Sequence, residues 1–371
     1  MRRQAYPYTI FGSIAFIILL IFIGTQQSFS FQSHDTRTRP LSGTPAEQAE
    51  LERLYQAALQ KGQTEVVVYQ AAMDYEWQPL WKAFSEAFPG IQIKYMHLSP
   101  AEIFNRLDTE TVTGSHFADI VSYPINNIFD LKAKGYLSSF KSINAEKLPN
   151  YYRTQDDTIQ FSFLKVYGLG FNKNRLGNEQ LPENIHELLS KKWEKQFEYG
   201  APGGGAGTVD IALIQLLQKN KITEQDLRNL KKNGGIGGTQ EQGTIVLAQS
   251  RTTLSPWVYL PPLARQKALG VPIEISYPAD FTLLIPFGQG LVKNPAHPEA
   301  AKLLQTWLLT PDVQKLFAEE TFSYGTIPNA PRPQGLPTSV NNQIDDPSLY
   351  PEALSNLIKK WVPKFQSIWY S

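Results

Sequence analysis

The first 125 residues alternate between short apolar runs and longer segments with apolar residues at helical spacing. Strand-like runs at 65–69, 91–95 and 118–121 are dense in Val, Ile and Tyr or alternate with polar residues. A helix near Pro100 separates the last two runs. The stripe between the first two consists of Trp77, Leu80, Trp81, Phe84 and Phe88. This order predicts a parallel sheet of the α/β class.

Two loops of this region are candidates for a binding site. Ala71–Met73 follows the first predicted strand, and Ser122–Pro124 follows the third. In sheets of this class ligands bind beyond the carboxyl ends of the strands. We therefore expect both loops at the mouth of a site.

A glycine-rich stretch in the middle of the chain leads into an amphipathic segment. Gly203, Gly204, Gly205 and Gly207 precede a predicted helix over 208–218. A helix start carries unpaired N–H groups and roughly half a positive charge, so a bare glycine loop before it can hold an anion or a polar group. An ordinary connector is the alternative. No Lys-Ser or Lys-Thr follows, which excludes a nucleotide P-loop.

The rest of the chain carries further predicted helices and strands. A strand over 164–172 leaves the first half of the sheet, and a return strand runs over 273–284. A further strand and turn lie at 252–257. A second helix start, at Gly238-Thr239, is another candidate cradle for a polar group. Further helices are predicted over 50–60, 184–197, 223–232, 239–249, from 298 to 317, and over 351–370.

Composition restricts the classes of function. The 371 residues suffice for two lobes with separate cores. Lys and Arg number 35 against 34 Asp and Glu, so the charge balance gives no indication of a nucleic-acid partner. The chain has no cysteine, which excludes disulfides, a thiol nucleophile, iron–sulfur clusters and a lipidated N-terminal cysteine.

No motif of an enzyme is present. The five histidines show no H-E-x-x-H spacing, and neither G-x-S-x-G nor Ser-x-x-Lys occurs at a plausible nucleophile. We therefore predict a binding protein with no catalytic residue, no metal ligand and no cofactor. A hydrolase built from carboxylates that meet only in the folded chain remains open.

The N-terminus has the pattern of an exported protein. Two arginines precede an apolar run from Ile10 to Ile23. Residues 1–24 are therefore either a cleaved signal peptide or a retained membrane anchor, and both readings place the bulk of the chain outside the cytoplasm. Residues 25–61 are expected to be a polar linker and a leading helix.

An ordered set of motifs resembles the bacterial extracellular solute-binding proteins of ABC importers, in the branch that includes ferric-iron, phosphonate, thiamine and phosphoglycerate-type binding proteins. The resemblance covers about residues 62–330. The motifs are Glu65–Tyr69, Ala83–Ile93, Ala118–Val121, Gly168–Asn172, Gly203–Asp210, Val292–Ala301 and Leu309–Gln314.

The resemblance implies a two-lobed periplasmic-binding-protein-like fold of type II, with two strands that cross the hinge and each lobe a mixed sheet flanked by helices. Lobe one would comprise 62–166 plus 284–371, and lobe two 172–278. The hinge would comprise 167–171 and 279–283. A solute would be trapped between the lobes as they close.

The resemblance also implies ligand-binding positions at four places. For each aromatic residue among them, core or hinge packing is an equal alternative. Lys165 and Arg251 are candidates for a counter-charge to the solute, but both are expected to be solvated surface residues. The implied ligand-binding residues are Ala72, Met73, Ser122, Tyr123, Ala206, Gly207, Thr208, Trp257, Tyr259, Tyr277 and Asp280.

The sequence departs from the ferric-iron members, which use a neighbouring pair of tyrosines. Trp257-Val258-Tyr259 offers one tyrosine at that place, so a small polar or anionic organic solute is favoured over iron. The expected partner is an ABC permease in the inner membrane. The alternatives are a membrane-anchored component of a signalling system, with a sensor kinase as partner and membrane contact through the N-terminus, and a ferric-iron-binding member of the family.

Overall fold

The computed structural model describes residues 37–203, 207–237, 240–336 and 351–371. Its first element is helix α1, Pro45–Gln60. Thr44 and Glu47 form a capping box at the start of this helix, which satisfies N–H groups that would otherwise lack partners. The predicted leading helix is therefore confirmed, and it begins five residues earlier than the pattern indicated.

The predicted strand–helix alternation is confirmed. Strand β1 pairs in parallel with β2 on one side and with β3 on the other. The two intervening helices cross over between these strands, as parallel pairing requires. The bounds are β1 Glu65–Gln70, α2 Asp74–Ala87, β2 Gln92–His97, α3 Pro100–Thr113 and β3 Ile120–Pro124.

The remaining elements complete an α/β fold. They are α4 Ile125–Ala133, β4 Leu137–Ser138, β5 Gln160–Asn172, α5 Lys173–Leu176, α6 Ile185–Leu188, β6 Glu198–Gly200, α7 Thr208–Gln218, α8 Glu224–Asn233, β7 Gly235–Gly237, α9 Gln240–Ala248, β8 Leu254–Tyr259, α10 Leu260–Ala268, β9 Ile273–Ser276, β10 Leu283–Val292, α11 Pro298–Trp307, α12 Pro311–Glu320, β11 Tyr324–Gly325 and α13 Pro351–Tyr370.

Strand β5 belongs to both predicted lobes. The main sheet has the order β11-β5-β10-β3-β1-β2, so its pairing is mixed. The first part of β5 pairs with β10, and from Tyr167 onward β5 pairs with β8 and β9. Tyr167 pairs with Leu283 on one side and Tyr259 on the other. The change of partners falls within the stretch that the sequence assigned to the hinge.

Two sequence expectations about secondary structure are wrong. The helix over 184–197 is only one turn, α6, because the chain becomes extended at Ser190 (φ −67°, ψ 159°). The return strand over 273–284 is two strands, β9 and β10. A turn separates them, in which the carbonyl of Pro278 accepts from the N–H groups of Phe281 and Thr282.

Aromatic side chains fill the core beside α2. The ring of Phe163 stacks on that of Phe287 at 5.0 Å and on that of Phe317 at 4.8 Å. Trp77 packs edge-on against Phe163 at 5.2 Å. Phe163 lies in β5, four residues before Tyr167, so this part of the strand is held by close aromatic packing.

The signal-peptide or anchor prediction for 1–24 lies outside the described residues, as do 25–36, Ala206 and Gly238-Thr239. Among the helices that the structure describes, none combines the length and the apolar character needed to cross a membrane.

Candidate functional site

Two tyrosines stack where the two predicted lobes meet. Tyr167 of β5 and Tyr259 at the end of β8 have ring centroids 5.3 Å apart. The side chain of Tyr167 hydrogen-bonds that of Thr208, the first residue of α7. The stack therefore connects the hinge strand with the helix that follows the glycine loop.

A buried ion pair lies on the other side of Tyr259. The Oε2 atom of Glu76 lies 3.1 Å from Nζ of Lys165, and the two side chains are 3% and 5% exposed. The hydroxyl of Tyr259 donates to the same carboxylate oxygen. The ammonium also lies 4.2 Å from the centroid of the Tyr259 ring. Such a pair is costly to bury, so these additional contacts matter for its stability.

The expectation that Lys165 is solvated is wrong. A lysine within the continuous buried strand β5 cannot reach water, and its charge needs a partner there. Arg251 is solvated as expected, because its side chain is 59% exposed. Its Nη2 atom lies 3.5 Å from Oε1 of Glu198.

Burial shapes the protonation of the tyrosines in this group. Burial, followed by the charge of Glu76, holds the pKa of Tyr259 well above its ordinary value. Burial also raises the pKa of Tyr167. Both side chains are therefore neutral phenols at physiological pH, and each acts as a hydrogen-bonding hydroxyl.

Two helices begin side by side close to this group. Gly207, the N-cap of α7, adopts φ +68°, and a Cβ atom there would lie 3.4 Å from the side-chain amide of Asn126, at the start of α4. No described side chain caps the first turn of either helix. Adjacent uncapped helix starts combine unpaired N–H donors with partial positive charge, which suits an anionic or polar group.

The other end of the glycine loop is occupied by a carboxylate of the chain itself. Oδ1 of Asp210, in the first turn of α7, accepts from the N–H of Gly203 at 2.6 Å. Burial raises the pKa of Asp210 to about 6. The N–H of Gly203 is therefore satisfied internally, and the donors left for a ligand are those nearer Gly207.

The two strand-end loops approach the same region. Met73 donates its N–H to Oε1 of Glu76 at 3.2 Å, which ties the loop after β1 to the ion pair. The carbonyl of Ala72 accepts from the hydroxyl of Tyr95. Ser122 and Tyr123 lie at the end of β3, separated from α4 by Pro124. Gln289 donates to the Ser122 hydroxyl at 3.3 Å. The fully buried Tyr123 donates to the Leu98 carbonyl at 2.9 Å. These side chains have internal partners.

Trp257, Asp280 and Tyr277 have contacts within the fold that do not include Tyr167 or Tyr259. The Trp257 indole donates to the Asp280 carbonyl at 3.3 Å, and the Asp280 carboxylate accepts from the N–H of Ile185 at 3.1 Å. Trp257 has φ +58°, a strained conformation for a bulky side chain. Tyr277 lies beside Gly168 in the hinge region. Their roles as ligand contacts stay predictions.

The structure therefore brings together four predicted residues, Met73, Gly207, Thr208 and Tyr259, and adds residues that the pattern did not single out. The added residues are Glu76, Asn126 and Tyr167, and they are joined by Lys165, which the sequence analysis considered only as a counter-charge expected to be solvated. A signal existed for one of them, because a lysine in a run of buried-strand residues implies a partner of opposite charge.

Solved structures of periplasmic binding proteins share this fold. Iron-bound HitA from Pseudomonas aeruginosa is 15% identical, with a TM-score of 0.69 over 82% of this chain and 99% of that one. AfuA from Actinobacillus pleuropneumoniae, with fructose-6-phosphate bound, is 18% identical, with a TM-score of 0.66 over 81% and 98%. The ferric binding protein from Campylobacter jejuni is 17% identical, with a TM-score of 0.65 over 82% and 99%.

The family itself follows from the sequence model that matches the chain. The model described as "Bacterial extracellular solute-binding protein" matches residues 115–350, which is more than half of the chain. No curated protein sequence matches. The match favours the importer role over the signalling alternative. The chain thus belongs to the bacterial extracellular solute-binding proteins and serves as the solute-binding component of an ABC-type importer.

Proposed function

We propose that this protein captures a small organic solute with an anionic or polar head at the boundary between its lobes. The observation that carries the proposal is the juxtaposition of the starts of α4 and α7, at Asn126 and Gly207, beside the Tyr167–Tyr259 stack. Helix starts supply donors, and the ring faces supply an apolar surface.

The charge of Glu76 does not oppose an anionic head. The carboxylate of Glu76 is paired with Lys165 at 3.1 Å, so it does not leave an uncompensated negative charge near the helix starts. The hydroxyl of Thr208, already bonded to Tyr167, lies at the first position of α7 and adds a polar group beside the backbone donors.

Two ligand classes are known among the structural neighbours. AfuA was solved with fructose-6-phosphate bound, and HitA was solved with iron bound. For this chain the organic class is favoured, because the Tyr259 hydroxyl is buried and already donates a hydrogen bond to Glu76. Iron coordination would require a phenolate at that position.

The proposed output is transport, with a membrane permease that receives the solute from the closed form. Retention of residues 1–24 as an anchor would distinguish a tethered from a freely diffusing protein. The mass of the mature protein from the envelope fraction decides between them, since removal of 24 to 30 residues shortens the chain by about a fifteenth.

A ligand screen tests the proposal directly. The melting temperature is measured with fructose 6-phosphate, inorganic phosphate, a phosphonate, citrate, an amine and ferric citrate. A ligand present at 100 times its Kd stabilises the folded form by about 2.7 kcal/mol. We expect an organic anion to give such a shift, and Thr208→Val to weaken binding, while Thr109→Val on the exposed face of α3 leaves binding unchanged.

Three outcomes would contradict the proposal. A shift with ferric ion alone would move the protein to the iron-binding members. A shift confined to the amine would place a cation, and not an anion, at the helix starts. The absence of any shift, together with unchanged small-angle scattering, would contradict an organic anion of these classes as the solute.

A further inference from the structure

The C-terminal helix α13 contacts elements of both lobes. Its first half packs on α4 and on the turn at Asn150–Tyr152. Burial raises the pKa of Asp130 in α4, and the charge of Lys359 in α13 opposes that rise. Its second half packs on α7 and α8 of lobe two. The sequence assigned the whole helix to lobe one, so these contacts add a connection between the lobes besides the hinge strands.

A proline separates the two halves of α13. Pro363 lies inside the helix, where it has no N–H for the helical hydrogen bond and its ring crowds the preceding turn. The helix is therefore weakest at the point between its contacts with lobe one and its contacts with lobe two.

The second half of α13 is fixed to lobe two through buried and charged contacts. The Trp369 indole donates to the hydroxyl of Tyr199 at 3.0 Å, and the two residues are 4% and 1% exposed. Lys231 of α8 donates to the carbonyl of Ile368 at 2.8 Å. Tyr199 lies in β6, the strand that leads into the glycine loop, so the buried bond acts at the entrance of this loop.

Gly203, the first residue of the glycine loop, is held on several sides. Its N–H donates to Asp210 at 2.6 Å, and its carbonyl accepts from Nε2 of Gln366 at 3.0 Å. It adopts φ +71°, and a Cβ atom there would lie 2.8 Å from Cγ of Gln366. Helix α13 therefore occupies the space that a side chain would need at this position.

Both ends of the loop meet helices that the sequence assigned to lobe one. The entrance, Gly203, lies against α13, and the exit, Gly207, lies against Asn126 of α4. Helices α4 and α13 pack on each other. The two ends of this loop thus contact α4, which lies in lobe one, and the half of α13 that packs on lobe two.

We propose that the second half of α13 sets the position of Gly203 and, through the Gly203–Asp210 hydrogen bond, of the first turn of α7, and that Trp369 is the positioning residue. The inference rests on the proposed function in one respect, namely that the start of α7 binds the solute. Separation of the lobes would move α4 away from Gly207, whereas the second half of α13 would stay with lobe two and hold Gly203. The helix starts would then lose their arrangement, so that the site exists only when the lobes are together.

The test compares matched tryptophan substitutions on one helix. Trp369→Phe keeps a ring and removes the N–H donor, and Tyr199→Phe removes the acceptor. The control is Trp361→Phe, also in α13, whose Nε1 atom has no hydrogen-bond partner among the described residues. Hydrogen exchange of the amides of Thr208–Ile211 is followed in the full chain. We expect about fivefold faster exchange in either Trp369→Phe or Tyr199→Phe, no further increase in the double variant, and no change in the control.

A distance measurement gives a second readout that does not need the solute. Because the chain has no cysteine, Gln60→Cys and Lys191→Cys give two unique sites for spin labels. Gln60 lies on α1, which packs on α11 of lobe one, and Lys191 lies in lobe two. We expect Trp369→Phe to broaden the distribution of label distances. The affinity for fructose 6-phosphate or inorganic phosphate, whichever shifts the wild-type melting temperature, is expected to fall about fivefold.

Two results would overturn the inference. One is Trp369→Phe behaving like Trp361→Phe in both exchange and label distances. The other is exchange that accelerates equally throughout the chain, which would indicate general destabilisation. If the wild type binds none of the probes while α7 still exchanges faster in Trp369→Phe, the positioning role holds and the proposed function fails.

Discussion

The Glu76–Lys165 pair is a residue-scale feature with consequences for stability. Both side chains are buried, with Nζ and Oε2 3.1 Å apart. Loss of one partner leaves a buried charge unpaired, which typically costs about 3–5 kcal/mol, whereas loss of both charges costs less. The pair therefore acts as a unit, and its contribution is measured best by a double-mutant cycle.

The first prediction concerns this pair. Lys165→Met is expected to lower the free energy of unfolding by about 3–5 kcal/mol, because Glu76 is left without its counter-charge. Glu76→Gln combined with Lys165→Met is expected to recover part of that loss. Urea denaturation measures both, with Lys82→Met as a control because its side chain is 79% exposed. Glu76→Gln is measured alone as well, and a loss in the double variant equal to the sum of the two single losses would show that the pair is not coupled.

The second prediction concerns the pH dependence that Asp210 produces. Burial raises its pKa from 3.8 to about 6, so the folded form binds the proton more tightly than the unfolded form. The free energy of unfolding therefore falls as Asp210 ionises between about pH 4 and about pH 6, and this loss is constant above that range.

The measurement compares wild type with Asp210→Asn, which keeps an oxygen acceptor for Gly203. Between pH 4 and pH 7 we expect Asp210→Asn to gain about 3 kcal/mol relative to wild type, from a shift of about two pKa units. Asp210→Ala removes both the titrating carboxyl group and the acceptor for the N–H of Gly203. Its stability should therefore depend on pH as that of Asp210→Asn does, but be lower at every pH. Parallel pH profiles of wild type and Asp210→Asn would contradict the prediction.

At this scale the sequence predicted residue types better than contacts. Thr208 and Tyr259 were predicted as ligand residues, and they lie in one connected group. Glu76 and Asn126 were not, because their positions depend on the approach of segments far apart in the chain. A periodic pattern reports which face is buried but not which distant segment covers it.

At the scale of elements, the pairing of β5 with β9 depends on a glycine in β5, Gly168. A Cβ atom at Gly168 would lie 2.7 Å from the carbonyl oxygen of Ser276 and 2.9 Å from a side-chain carbon of Ile275. One of these neighbours is backbone, so it cannot move away as a flexible side chain would. Gly168 therefore sets how closely β5 and β9 approach in the hinge region.

The third prediction follows from this close approach. Gly168→Ala is expected to destabilise the fold by about 1–3 kcal/mol through overpacking. Gly237→Ala is the matched control, because its Cβ would lie 3.6 Å from the nearest atom, the carbonyl of Tyr199, in ordinary contact. Chemical denaturation of both variants tests the difference. Equal stability of the two variants would show that β9 yields to the added methyl group.

Most elements were predictable from local pattern, and the exceptions have local causes. The alternation of β1 to β3 with α2 and α3 is strongly periodic, so its order and pairing were correct. The segment 184–197 has apolar residues at helical spacing, yet it forms one helical turn because the backbone is extended at Ser190. Spacing alone does not distinguish a helix from two successive turns.

On the scale of the whole molecule, the lobes meet through side chains as well as through the hinge strands. Tyr259 of lobe two donates to Glu76 of lobe one. The guanidinium of Arg265 in α10 lies 5.0 Å from the ring centroid of Tyr75 in α2. These contacts join α2 of the proposed lobe one to β8 and α10 of the proposed lobe two.

The fourth prediction tests the hydrogen bond from Tyr259 to Glu76. Tyr259→Phe removes the hydroxyl that Glu76 accepts from, so we expect the lobes to separate more readily and the radius of gyration in solution to increase. Tyr370→Phe is the control, because Tyr370 is 57% exposed. Small-angle scattering of both variants without solute measures the change. An unchanged radius in Tyr259→Phe would show that the hydrogen bond does not govern closure.

The continuity of β5 through both lobes also decides which fragments of the chain are viable. Strands β8 and β9 have β5 as their partner, so a fragment over 173–278 would present two unpaired strand edges to solvent. Such edges pair readily with other chains. Excision of lobe two is therefore expected to give aggregates, and a chimaera that exchanges this lobe with a relative's must carry its own crossing strand.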